Sequence, residues 1–148
     1  MIRGEYVLRI GDGPELVIPN QFTIIGMQTI MKAAFWQEIP MLYIGLCNNN
    51  IASSLSLAAI QEPSGINGYL RQPVAMNQVN WPVISSVNGE SYIESREFTF
   101  DLTGGVSTPV GRLFITDGTY VISISSEFMD GVQVYDEPIT TKYRLFIG

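Results

Sequence analysis

The stretch RLFITDGTYVISIS, residues 112–125, has the pattern of two β-strands joined by a turn. Residues 112–116 and 119–125 are rich in β-branched and aromatic side chains, which are typical of strands. Asp117-Gly118 lies between them and is a hairpin signal, because such pairs accept the left-handed backbone of a tight turn. This stretch therefore predicts an antiparallel hairpin in a β-rich domain.

The same pattern recurs along most of the chain. Asn88-Gly89 separates a strand-like segment at 83–87 from an alternating segment at 91–100. Further strand-like segments lie at 5–10, 15–18, 42–46, 69–76 and 142–147. Short strands with regular turn signals are typical of jelly rolls and sandwiches. At 148 residues, the chain fits one mainly β domain, with a jelly-roll or β-sandwich fold and one N-terminal α-helix.

The helix is predicted at about residues 22–36. One helical face is formed at i, i+3, i+4 and i+7 by Met27, Ile30, Met31 and Ala34. Its other faces also carry apolar side chains, namely Ile24, Ile25, Phe35 and Trp36. Asn20 is the expected N-cap, and Pro40 prevents continuation. A helix that is apolar on several faces is expected to be deeply buried or packed on a neighbour.

Residues 1–19 are predicted to be separate from the domain at 20–148. They contain few core-type anchors and two short strand candidates, split by Gly11-Asp12-Gly13. We expect them to form an N-terminal arm or edge strands that pair with another chain.

The composition favours an oligomer. Charged residues make up 15% of the chain, against roughly 25% in an average soluble protein. The mean hydropathy is +0.19. So low a fraction of charged residues indicates that part of the surface faces other subunits. A closed homo-oligomer such as a trimer is therefore expected. The net charge of −6, with scattered Lys and Arg, argues against binding nucleic acid.

The residue inventory offers little chemistry for a cofactor or metal. The chain contains no histidine, the commonest general base and a frequent metal ligand. Its one cysteine, Cys47, lies in the apolar run MLYIGLC and is predicted to be a buried, inert thiol. Asp117-Gly118 and Asp130-Gly131 lack the fuller spacing of a calcium loop and are interpreted as turns. We therefore expect no cofactor and no metal.

Catalysis and membrane insertion are not expected either. Glu94, Glu97 and Asp101 are close in sequence, but strand geometry does not assure that any two of them meet as a catalytic pair. No segment reaches the roughly 18 apolar residues of a membrane span, and the N-terminus lacks a signal-peptide pattern. The predicted protein is non-enzymatic and is made in a reducing cytoplasm.

The segment EPSGINGYLRQPV, residues 62–74, resembles a pattern found in small structural proteins of tailed bacteriophages. These include capsid decoration and tail-fibre-associated proteins. The resemblance covers roughly residues 20–126: an early helix, the strand LYIGL at 42–46, Gly68-Tyr69-x-Arg71, and VGRLFITDG at 110–118. One departure is that Gly104-Gly105 precedes Asp117, whereas the family often carries a glycine pair after the aspartate.

The resemblance implies a virion structural protein made in the host cytoplasm. A capsid decoration or cement protein on the outer surface of the head is expected, with itself and the major capsid protein or another virion protein as partners. A tail, neck or tail-fibre-associated role remains the alternative. A lectin-like virion module is a further alternative, because Trp36 and Trp81 could stack on sugar rings, although core packing is predicted for both.

Tyr69, Arg71 and Pro73 are predicted as a possible subunit interface. Tyr69 can bury its ring while its hydroxyl reaches a polar partner. Arg71 lies on the same strand face and can pair with Glu62, with Glu97 or with a neighbouring subunit. Pro73 cannot donate to a ladder and marks a sheet edge or bulge. The alternative is a loop-to-strand turn that serves only the fold of its own chain.

Overall fold

The computed structural model describes residues 2–48, 56–63, 69–102, 105, 109–128 and 134–148. It is mainly β, with 46% strand and 13% helical residues, and consists of a curled antiparallel sheet with one short α-helix. The strands are β1 (Ile2–Ile10), β2 (Leu16–Phe22), β3 (Tyr43–Cys47), β4 (Gln72–Pro73), β5 (Val83–Val87), β6 (Glu90–Glu94), β7 (Phe98–Phe100), β8 (Arg112–Thr116), β9 (Val121–Ser125) and β10 (Ile139–Ile147). Gly68, Gly104 and Asp130-Gly131, which the sequence interpretation used, lie outside the described residues.

The strands run in the order β4-β3-β8-β9-β2-β1-β10-β6-β5, and β7 pairs with β10. β10 is long enough to hold two partners along one side, because its first residues pair with β7 and its last residues pair with β6. The segment 91–100 is therefore two strands rather than one. The break falls at 95–97, where Ser95 N donates to the carbonyl of Tyr143.

The N-terminal segment is part of the sheet, which corrects the prediction of an arm or edge strands. β1 pairs with β10 over its whole length and with β2 on its other side. Tyr6 and Leu8 are 0% and 1% exposed. These residues provide the core anchors that the sequence interpretation discounted, because charged residues such as Glu5 and Arg9 alternate with them.

The helix is shorter than predicted and has a different cap. α1 spans Ile24–Met31, and a π-helical turn follows at Lys32–Trp36. Its N-cap is Thr23, whose Oγ1 accepts from Gly26 N at 2.9 Å. Asn20 instead lies in β2. The helix is not deeply buried in its own chain, since Gly26 is its one buried residue in the described structure.

The main core lies against one face of the sheet, and a smaller cluster lies against the other. Fully buried side chains of the main core include Tyr6, Leu8, Ile44, Phe98, Leu113 and Tyr143. The smaller cluster consists of Cys47, Phe114 and Ile124, packed by Leu57 and Ile60. Alternation along the strands explains the division, because neighbouring residues such as Leu113 and Phe114 point to opposite faces.

Both hairpin predictions at the turn pairs are confirmed. β5 and β6 are joined by Asn88 and Gly89, whose φ angles are 51° and 81°, as a type I′ turn requires. β8 and β9 also pair, but their connection covers 117–120. Asp117 Oδ1 accepts from the backbone N–H groups of Thr119 and Tyr120, so this turn is organised by the aspartate side chain.

The thiol of Cys47 is expected to resist modification in the folded protein. Cys47 is 1% exposed, and burial raises the pKa of its thiol to about 12. The reactive thiolate is therefore scarce at neutral pH. We expect no reaction with Ellman's reagent in the native state and full reaction after denaturation in guanidinium. Rapid stoichiometric labelling of the native chain would contradict this burial.

Two buried tyrosines are expected to make stability fall in alkali. Burial raises the pKa of both Tyr6 and Tyr143. Above pH of about 10 the unfolded chain ionises these phenols while the folded chain retains their protons, so stability decreases as pH rises. The free energy of unfolding in guanidinium, compared at about pH 8 and about pH 11, measures this loss of stability. The decrease should be smaller in Tyr6→Phe and unchanged in Tyr135→Phe, an exposed control. An equal decrease in both variants would show that the phenol of Tyr6 does not contribute to the loss of stability in alkali.

Candidate interaction surfaces

The side chains of the predicted motif meet at Glu62. Oε1 of Glu62 accepts from Tyr69 Oη at 2.8 Å and from Arg71 Nε at 2.9 Å. Oε2 accepts from Arg71 Nη2 at 2.9 Å. Tyr69 Oη also accepts from the backbone N–H of Leu46 at 2.9 Å, which ties the group to β3. Arg71 thus makes a planar, two-pronged contact, and its partner is Glu62 rather than Glu97.

This network is partly shielded from water. The side chains of Arg71 and Glu62 are 30% and 24% exposed. The hydrogen bonds that Arg71 donates to Glu62 raise the pKa of Arg71, and burial raises the pKa of Tyr69. The contacts favour a role for these residues in the fold of their own chain. A subunit contact at this motif stays a prediction, for which the exposed part of Arg71 and the 76% exposed Leu70 provide the surface.

Pro73 lies at one end of the sheet, as its missing N–H predicts. It belongs to β4, which ends the strand order and pairs with β3 through Tyr43 and Ile44. The carbonyl of Pro73 accepts from Arg96 Nη2 at 3.1 Å. Pro73 is therefore fixed at the edge by contacts within the chain.

The helix and the segment after it form a second, apolar surface. Phe35 and Trp36 are 81% and 67% exposed, and we call this pair the aromatic knob. Other exposed apolar side chains nearby in sequence are Ile24, Met31, Ile39 and Met41. The prediction that Trp36 packs in the core is therefore wrong. That prediction is confirmed for Trp81, whose ring packs edge-on against Tyr143 at 5.9 Å between centroids.

An apolar cavity of about 630 Å³ lies beside the helix. Its lining includes Phe22, Ile30, Met76, Trp81, Ile84 and Ile93. These residues come from β2, α1, the 76–82 segment and the β5–β6 hairpin, so the cavity is created by tertiary packing. Arg96 holds the 76–82 segment in place, since its Nε donates to Asn80 Oδ1 at 2.9 Å. No charged side chain lines the cavity in the described part of the chain.

The surface around the cavity is unusually poor in charge. Residues 72–89 contain no Asp, Glu, Lys or Arg. Within them lies β5, at the end of the sheet opposite β4, where Val83, Ile84 and Val87 are exposed. A strand at a sheet end offers unpaired backbone groups, and natural proteins usually protect such edges with charge or cover them. β5 itself has no such charges.

Charged side chains are instead concentrated on β1, β6 and β10. Arg144 Nε contacts Glu94 Oε2 at 2.6 Å, and its Nη1 lies 3.6 Å from Glu5 Oε1. Arg3 Nη2 contacts Glu90 Oε1 at 2.8 Å, and Arg3 also lies over the ring of Phe146. β1, β6 and β10 therefore carry a network of paired charges, whereas residues 72–89 carry no charge.

Within the described residues we find neither a cluster of metal-ligating side chains nor a membrane-spanning helix. No three His, Cys, Asp or Glu side chains within them are grouped as a metal site would require. None of their helices has the length and apolarity needed to cross a bilayer. Glu94, one of the carboxylates considered for catalysis, is paired with Arg144.

Comparison with known proteins gives no match: no family model matches the sequence, and neither a curated protein nor a solved structure is similar to it. The resemblance to phage structural proteins, carried by residues 62–74 and 110–118, therefore stays a hypothesis. The apolar surface and the Glu62 network are the independent observations from which a function can be inferred.

Proposed function

We propose that the chain is a non-enzymatic structural protein of a tailed-bacteriophage virion, acting as a capsid decoration or cement protein. The observation that supports this most is the set of exposed apolar groups in segments that carry little charge: the aromatic knob, the cavity and β5. Monomeric proteins rarely expose large contiguous apolar patches, and those that do usually bind another macromolecule there. Assembly with other subunits covers this surface.

The composition of the surface suits a subunit contact. Interface cores are depleted in charge and enriched in Trp, Phe and Met. The helical region offers Phe35, Trp36 and Met31, all more than half exposed. The strands of the described chain form the curled sheet, for which we propose a jelly-roll or sandwich arrangement. A small domain of this kind can bridge adjacent capsid subunits and oppose the pressure of packaged DNA.

The proposed partners are further copies of the chain, as a trimer, and the major capsid protein or another virion protein. The outer surface of the head is the proposed location. An exterior position is compatible with the net charge of −6, which would disfavour contact with packaged DNA. A tail, neck or tail-fibre-associated position is the alternative for the same assembly role.

Microscopy of purified particles labelled with an antibody against the chain tests the proposal. Even labelling over the head supports a decoration protein. Labelling at one vertex or at the tail tip supports the tail or neck alternative. Particles that carry no label, while the antibody detects the denatured chain in the same host lysate, would refute a virion role.

A lectin-like module is a second candidate, favoured by one observation. Trp36 is exposed, and Gln28 and Lys32 lie beside it in a shallow depression. An exposed indole can stack on a sugar ring while amide and ammonium groups bind its hydroxyls. Titration with a glycan panel should quench Trp36 fluorescence if this role is correct. Unchanged fluorescence together with stable self-association would favour the structural role.

A further inference from the structure

We infer that copies of this chain associate by seating the aromatic knob of one copy, Phe35 and Trp36, in the apolar cavity of the next. The inference rests on the proposed assembly role and identifies both surfaces of the contact. It makes the chain a head-to-tail assembling unit, in which each copy donates one knob and receives one.

The two side chains of the aromatic knob project from the surface at the end of the helix. The π-helical turn Lys32–Trp36 continues α1, and Gln37 then adopts a left-handed conformation with φ of 58° that ends the helix. Phe35 and Trp36 stand at this end, 81% and 67% exposed. Residues that dominate binding are enriched in Trp, Tyr and Arg and lie in well-packed pockets from which water is excluded.

The cavity has the size and the chemistry to receive them. Its volume of about 630 Å³ lies within the range of sites that enclose a drug-sized molecule, and two aromatic side chains are of that size. Ligand sites usually add a few polar groups that orient the ligand. Here the amide side chains are Asn77 and Gln78, and Asn77 Oδ1 already accepts from Asn80 N. Tyr143 Oη is bonded to Asn20. An apolar side chain therefore suits the cavity better than an oriented small ligand.

The sparse local charge makes this place suitable for contact with a second copy. Two copies of net charge −6 repel each other, and this repulsion opposes a contact least where charge is sparse. Residues 72–89, which surround much of the cavity, contain no charged residue. Residues 22–41, which carry the knob, contain two of opposite sign, Lys32 and Glu38. The two surfaces can approach without like-charge repulsion, while the charged face of β1, β6 and β10 stays in water.

The relation of knob to cavity also predicts the type of symmetry. A knob that fits a cavity elsewhere on the same molecule gives a heterologous contact, which closes into a ring when the rotation permits. Such a ring agrees with the trimer proposed from composition. Ile30 lines the cavity and Phe35 lies in the turn that follows α1, so both surfaces depend on the position of one helix.

Sedimentation velocity of three variants tests the contact. Phe35→Ser/Trp36→Ser removes the knob, and Ile84→Glu places a charge at the cavity, at a side chain that is 77% exposed. Tyr135→Ser is the matched control, since it removes an aromatic side chain that is 52% exposed on a different segment. Each of the first two should weaken self-association by at least about 30-fold, the loss expected for a hot spot. The control should associate like the unmodified chain, and all should keep the far-ultraviolet circular dichroism of the parent.

Mixing the variants provides the decisive step. The Ile84→Glu chain retains its knob and the Phe35→Ser/Trp36→Ser chain retains its cavity, so together they should form a one-to-one dimer and nothing larger. A mixture that stays monomeric, or single variants that assemble like the parent, would overturn the inference. Binding of 1-anilinonaphthalene-8-sulfonate gives a further check. If Ile84→Glu abolishes binding of this dye but leaves self-association unchanged, the cavity serves a small ligand and the inference is wrong. Antibody labelling of particles is independent of these results, and so a failure of this contact is distinguishable from a failure of the virion role.

Discussion

Glu62→Ala is expected to lower the free energy of unfolding by about 2 kcal/mol, because hydrogen bonds to charged groups contribute about 1.5–3 kcal/mol and the site is partly exposed. The carboxylate accepts three hydrogen bonds, one from Tyr69 Oη and two from Arg71. Its removal leaves the Tyr69 hydroxyl and the Arg71 guanidinium group without this acceptor. Chemical unfolding monitored by circular dichroism measures the change.

Glu97→Ala is the matched control for this effect. Glu97 was the other carboxylate predicted as a partner for Arg71, and it is exposed. Its removal should change the free energy of unfolding by less than about 0.5 kcal/mol, as is usual for surface positions. Equal losses in the two variants would show that the Glu62 network does not contribute specifically.

Arg71→Lys extends the test to the proposed subunit contact. Lysine retains the charge but cannot make the two-pronged contact that Nε and Nη2 of Arg71 make with Glu62. Given these contacts, we expect a lower unfolding temperature and normal retention on particles. An unchanged unfolding temperature with weaker retention would instead support the prediction of an interface at Tyr69, Arg71 and Pro73.

Local chemistry predicted the parts of the fold that depend on neighbouring residues. Asn88-Gly89 and Asp117-Gly118 predicted their hairpins because turn geometry depends on a few adjacent residues. The division of 91–100 into β6 and β7 was not predicted, because it depends on β10, whose residues pair with one strand and then the other. The same limit explains the error at residues 1–19. Pairing of β1 with β10 joins the two ends of the chain, and no local pattern reports it.

The candidate surfaces were predictable to different degrees. The motif around Arg71 was recognised from its residue types, and Glu62 was one of the partners considered, but choosing Glu62 over Glu97 required the path of the chain. The apolar helix pattern indicated a neighbour or deep burial, and the exposure of Phe35 and Trp36 excludes deep burial of these two residues within the chain. The cavity had no sequence signal, because its walls come from segments that are far apart in the chain.

Gly26→Ala is expected to destabilise the protein by about 1–3 kcal/mol, the usual cost of overpacking. A Cβ at this position would clash with the carbonyl oxygen of Ile122, so α1 would have to move away from β9. The direction of the change in stability shows whether α1 packs closely on β9, since glycine-to-alanine substitution within a free helix stabilises the helix by about 1 kcal/mol. The close approach must outweigh that gain.

Gln28→Ala is the control on the same helix, at an exposed position where alanine should leave stability unchanged or slightly higher. Because Ile30 lines the cavity and the knob follows α1, displacement of the helix should also weaken self-association in Gly26→Ala. Thermal unfolding and sedimentation velocity on the same samples measure the two effects. An unfolding temperature raised by Gly26→Ala would show that α1 does not pack closely on β9. The helix would then provide no fixed position for the knob or for the cavity wall.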